Sequence, residues 1–99
     1  MTLKTKTFDA AAFLETDEDI QEFLAQAASS GDTKHLLHCL GIAARARGMT
    51  EVAKQAGVTR ASLYKSLDEG ASPKFETIVK VLEVFGCKLS IATRDNYAS

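Results

Sequence analysis

Apolar residues recur along most of this chain at intervals of three and four, the spacing that predicts helices. Ile20, Phe23, Leu24, Ala27 and Ala28 fall on one face of a helix over 17–29. Ser29, Ser30 and Gly31 stop it, and Asp32 supplies the N-cap of the next. A second helix over 33–47 buries Leu36, Leu37, Leu40, Ala43 and Ala44. Gly41 inside it lowers helix stability by up to ~1 kcal/mol relative to alanine, so another helix is expected to pack closely there. Arg45 and Arg47 suit the negative C-terminal end, which Gly48 closes. Two short helices follow, over 50–55 and 60–67. Ser72 as N-cap and Pro73 at the first helical position open a last helix. It is expected to bury Phe75, Ile78, Val79, Leu82 and Phe85 and to stop at Gly86. Residues 87–92 alternate apolar and polar, the period of a strand, which needs a partner in the arm 1–7 or in a second copy. Near the start, Phe8 to Leu14 reads as a short helical turn with Asp9 as N-cap and Phe8, Phe13 and Leu14 as anchors. The expectation is all-α: a compact bundle of five to six helices with a short C-terminal strand. Residues 1–7 form a flexible arm, 8–92 a single domain and 93–99 a polar tail.

Composition narrows the function classes. Ninety-nine residues, 45% hydrophobic and 25% charged, make one ordinary globular domain with little room for a deep substrate cavity. No apolar run approaches the roughly 18 residues of a membrane span. The start carries Lys4 and Lys6 but no apolar stretch after them, so it does not read as a secretory signal. Two cysteines, Cys39 and Cys87, are too few for a disulfide scaffold and read as reduced, buried thiols of a cytoplasmic protein. The net charge of −1 conceals an uneven distribution. Residues 1–32 hold two basic against seven acidic residues, a balance of −5, and residues 33–99 hold ten against six, a balance of +4. Such halves face different kinds of partner.

The basic part contains the informative stretch, Met49 to Leu67. Val52, Ala56, Val58, Leu63 and Leu67 are spaced to meet a core from two helices set at an angle, with the small Ala53 where they cross. Gly57 stands at the turn, where a positive φ is needed, and Thr59 is a good N-cap for the helix after it. That helix exposes Arg60, Ala61, Tyr64 and Lys65. A helix fits the major groove of B-DNA, and an arginine there can bind guanine through two hydrogen bonds. The pieces agree on a helix-turn-helix over 50–67 that binds DNA.

The stretch resembles the helix-turn-helix of the Cro/C1-type (Xre-like) repressors. The runs Gly41 to Thr50, Arg60 to Leu67 and Ser72 to Ile78, with Phe8, Asp9 and the Ser30-Gly31-Asp32 turn, are similar to addiction-module antidotes, the HigA-like antitoxins. The likeness covers about residues 7–92. It implies a toxin partner of the RelE/ParE/HigB type, usually small and basic, and repression of a shared operon. Carried over by position, Arg60, Ala61, Tyr64 and Lys65 match base-reading positions, Thr59 a phosphate or base contact, and Thr50 a backbone contact. Lys74, near a helix N-terminus, adds a phosphate contact. A basic toxin would meet the acidic surface of Asp9, Glu15, Glu18, Asp19 and Glu22. Operator DNA read in half-sites calls for a homodimer, with Leu89 and Ile91 of the unpaired strand at its interface.

Other chemistry reads as weaker. His35, His38 and Cys39 have a spacing that can share a metal, but Leu36, Leu37 and Leu40 claim the same helix for the core. Neither a metal nor another cofactor is expected, nor catalysis. The alternatives are a stand-alone phage-type or chromosomal repressor without a toxin, and an interaction adaptor that has lost DNA binding.

Overall fold

The fold is that of a computed structural model whose described residues are 13–68 and 70–93. Among the described residues five helices follow one another: α1 Asp17–Ser29, α2 Thr33–Arg47, α3 Met49–Ala56, α4 Arg60–Leu67 and α5 Phe75–Val84. α1 packs on α2, α2 on α3 and α4, and α3 on both α4 and α5. The centre is a single cluster that includes Ile20, Leu40, Val52, Leu63, Val81 and Phe85, each at most 1% exposed.

Local chemistry accounts for the helix ends. Thr16 caps α1: its Oγ1 accepts from the Asp19 backbone N at 3.1 Å, and the Asp19 carboxylate accepts from Thr16 N at 3.1 Å. This reciprocal pair satisfies two backbone donors that the helix leaves unbonded. Asp32 caps α2 by accepting from Lys34 N at 3.0 Å and His35 N at 3.2 Å. α3 and α5 end in the same way. Gly57 N donates to Lys54 O and Val58 N to Ala53 O; Gly86 N donates to Glu83 O and Cys87 N to Leu82 O. In each the glycine is left-handed, the form of C-terminal cap that satisfies two orphan carbonyls. At Gly41 a side chain would stand 3.5 Å from the Leu67 carbonyl oxygen, so the end of α4 rests on α2 there, as the glycine led us to expect.

Several expectations are corrected. Among the described residues no strand forms, and 87–92 is not one. Cys87 is taken up by the cap of α5, and the rest of the segment has no backbone partner within the described chain to form a ladder. α5 starts later than Ser72 and Pro73 suggested. Lys74 is its N-cap, with an extended ψ of 144°, and the first turn closes by Ile78 N donating to Lys74 O at 3.2 Å. α5 meets the core through the half-buried Ile78 and the buried Val81, Leu82 and Phe85, at i, i+3, i+4 and i+7, while Val79, expected inside, is only half-buried. Phe75, expected inside, stands at the first helical position ahead of that contact and is 72% exposed. Ala28 is exposed, and Phe23, Leu36, Leu37 and Val58 are only half-buried, packed against the rim of the cluster rather than within it. Cys39 is buried and Cys87 half-buried; both are free, and burial pushes both thiols above their ordinary pKa. Phe13 is exposed where an anchor was expected, while Leu14 is buried. The remainder of the turn from Phe8, the arm 1–7 and the end of the tail lie outside the described residues.

Candidate nucleic-acid and partner interfaces

α3 and α4, eight residues each, are joined by the three residues Gly57 to Thr59. Gly57 has φ 76° and ψ 28°, a region that penalises any Cβ, so the turn can be this sharp. The chain emerges extended at Thr59, whose Oγ1 accepts from Ser62 N at 3.0 Å and fixes the first turn of α4. Leu63 and Leu67 hold α4 from behind, at 0% and 4% exposure. Everything expected on its outer face is there: Arg60, Ala61, Tyr64 and Lys65 are all exposed. Two of them touch. The Arg60 guanidinium lies over the Tyr64 ring, 4.9 Å from its centroid, and Nη2 donates to Oη at 3.3 Å.

Thr50, in the first turn of α3, is exposed, as is Thr59. Lys74 is exposed at the N-cap of α5, with no side-chain bond to the helix end. On the outer side of α3, Gln55 Nε2 donates to Glu51 Oε2 at 2.6 Å, a pairing that sequence reasoning missed although its i, i+4 spacing was visible.

The acidic surface is smaller than a count of its residues suggests. Asp17 forms an ion pair with Arg47, whose guanidinium also lies 5.3 Å from the centroid of the Phe85 ring. Asp19 accepts from Glu15 N and Thr16 N and so belongs to the cap of α1. Glu15, Glu18 and Glu22 are exposed, and among the described residues their side chains have no ionic partner. Glu18 and Glu22 share one helix face by their spacing. Asp9 lies outside the described residues.

At the other end, Leu89 is 49% and Ile91 98% exposed, on a segment that leaves α5 just after its cap. The root of that segment is firmly held, since the Phe85 ring is fully buried and its carbonyl accepts from Gln21 Nε2 at 2.8 Å.

Two further features weigh on catalysis and metals. An open cleft of about 720 Å³ lies between α2 and the residues Asp68, Gly70, Ala71 and Ser72, with Lys34, His38 and Arg45 on one face of α2. The His35 Nε2 and Cys39 Sγ atoms lie 3.6 Å apart, but among the described residues no three His, Cys, Asp or Glu side chains converge. No helix among the described residues is long and apolar enough to cross a membrane.

Similarity to known proteins points one way. No solved structure matches the chain significantly. An uncharacterised protein of Haemophilus influenzae is 35% identical over 91 residues, which span 92% of this chain and 94% of the relative. Residues 4–93 match the family described as probable addiction module antidote protein. With nearly the whole chain covered, the protein belongs to the family of probable addiction module antidotes.

Proposed function

We propose that the protein is a sequence-specific DNA-binding antitoxin that neutralises a small basic toxin of the RelE/ParE/HigB type and represses its own operon. The observation that carries the reading is the outer face of α4. There Arg60, Ala61, Tyr64 and Lys65 stand exposed together on a helix anchored from behind by Leu63 and Leu67. α3, the Gly57 turn and α4 serve as a helix-turn-helix in this reading. α4 enters the major groove, Arg60 reads a base, and Lys65 and Thr59 add contacts. Thr50 and Lys74 contact phosphates and set the register of the protein on the duplex without reading sequence. The work is recognition, with no catalytic step and no cofactor.

Membership of an antidote family implies a toxin as counterpart. Glu15, Glu18 and Glu22, with Asp9 and Asp19 beside them in sequence, are the surface proposed to steer it, because opposite charge accelerates encounter and disfavours wrong partners. Two copies of the protein, joined through the segment carrying Leu89 and Ile91, present two reading helices to one operator. Pairing of that segment across a two-fold axis would satisfy backbone groups that have no partner among the described residues.

Gel shifts on the protein's own promoter test the DNA reading. Arg60→Ala should weaken binding by about 1–3 kcal/mol and relax preference at one base position. Thr50→Ala or Lys74→Ala should weaken binding evenly across sequences and flatten its salt dependence. Unchanged binding by an Arg60→Ala, Lys65→Ala double variant would remove α4 from the interface. The exposed face of α4 would also serve a stand-alone repressor. Failure of any basic protein encoded beside this one to bind it would favour that second reading.

A further inference from the structure

Arg60 and Arg47 are placed differently. Arg47 is neutralised by Asp17, whereas among the described residues Arg60 makes no ion pair and its side chain contacts Tyr64 in two ways. A guanidinium lying on an aromatic face gives up some of the rotational freedom of a long side chain, while its charge stays available. The hydrogen bond from Nη2 to the phenol oxygen adds a second restraint and breaks the symmetry of the fork. One donor is committed to Tyr64, and four of the five N–H groups of the guanidinium are left for a target. Ala61, next to Arg60 on the same outer face, adds only a methyl group to that surface.

Resting on the DNA reading above, we propose that Tyr64 is a positioning residue that aims Arg60 before DNA arrives, so that specificity at the Arg60 base depends on a side chain one turn away. The arginine then reaches the groove with its plane already set. The two donors needed for the O6 and N7 atoms of a guanine approach as a pair rather than being sorted out after contact. An arginine free to swing would still supply charge to the backbone, and so affinity, but would lose the geometric match that separates guanine from the other bases.

Two measurements on the full chain test this. In the free protein, the Arg60 δ-methylene proton signals should lie upfield because of the Tyr64 ring current. They should return to ordinary positions in Tyr64→Ala and stay shifted in Tyr64→Phe. On DNA, operator variants carrying each base at the position that Arg60→Ala relaxes should be compared by competition. Wild type should prefer guanine by about 5- to 150-fold. Tyr64→Ala should fall to within about 2-fold of the Arg60→Ala preference at that position and keep the wild-type melting temperature. Tyr64→Phe, with the ring but not the hydroxyl, should fall between the two. A Tyr64→Ala protein that keeps full guanine preference, or relaxes a different position only, overturns the positioning role. A free-protein signal that does not respond to loss of the ring also overturns it. A wild-type protein with no sequence preference at all would sink the DNA reading first, and the inference with it.

Discussion

α1 and α4 begin alike, each with a threonine N-cap whose hydroxyl accepts from the third residue of its helix. Their charged residues then meet different fates. In the first turn of α1, Asp17 is paired with Arg47 and Asp19 completes the cap, so among the described residues only Glu18 is left without a partner, joined a turn later by Glu22. In α4, Arg60 leans on Tyr64, and among the described residues neither it nor Lys65 has an ionic partner. The contrast teaches that charge on a helix and charge available to a partner are separate quantities. Acidic residues near a helix N-terminus are partly absorbed by the unbonded backbone donors and the helix dipole. Basic residues on the open face of a short helix have no such internal claim.

The largest effects should come from testing whether the two helices belong to one cooperative unit. Leu63 and Ile20 are 0% and 1% exposed, and replacing either by alanine should lower stability by about 2–5 kcal/mol in urea denaturation. If Ile20→Ala melted α1 while probes in α4 kept their midpoint, α1 would be an independent attachment. Next comes the difference in available charge. Changing Glu15, Glu18 and Glu22 together to Lys should slow association with a basic toxin by about 10-fold or more at low salt. Asp17→Asn and Asp19→Asn should change that rate much less, because those carboxylates are already engaged. The wild-type rate should also fall as salt shortens the screening length to about 10 Å at 0.1 M. Equal rates for wild type and the triple variant would move the toxin site elsewhere.

The cap comparison is finer. Thr16→Ala and Thr59→Ala should each cost about 1 kcal/mol, with the loss larger at Thr16, where the reciprocal bond from Asp19 is disturbed as well. Equal losses would mean that the carboxylate adds nothing to the hydroxyl. The smallest effect is expected for the ion pair. Asp17→Asn should lower stability by at most about 1 kcal/mol, since both partners are partly solvated, and the difference should vanish in high salt.

Much of this architecture was legible in the order of residues, and the misses share a cause. Helices α1, α2 and α4 were readable to the residue because each has both a period and punctuation: Asp32 before α2, Gly48 after it and Gly57 before α4. The outer face of α4 was readable for the same reason, since Leu63 and Leu67 define its inside and leave Arg60, Ala61, Tyr64 and Lys65 outside. α5 was misread at its start because Ser72 and Pro73 make a start signal that the helix does not use, and because its apolar arc is wide. Phe75, Ile78, Val79, Val81, Leu82 and Val84 offer several possible faces, and only the packing of α3 selects the one centred on Val81. The strand over 87–92 was misread because alternation describes a preference that only a neighbouring strand can realise. The engagement of Asp17 by Arg47 was hidden altogether, because the two residues lie on different helices and no local spacing links them.

The hold on Phe85 has a mechanical consequence. Its ring is locked in the core, its carbonyl is gripped by Gln21, and a side chain at Gly86 would collide with the same amide at 2.8 Å. The segment that follows therefore departs from a fixed post rather than from a swivel. If two copies join through it, their reading helices would be separated like the jaws of a caliper set to one opening. Such a pair would tolerate few changes in the spacing of the two DNA sites it spans. Lengthening the chain by a residue after Cys87 would be the way to open the jaws.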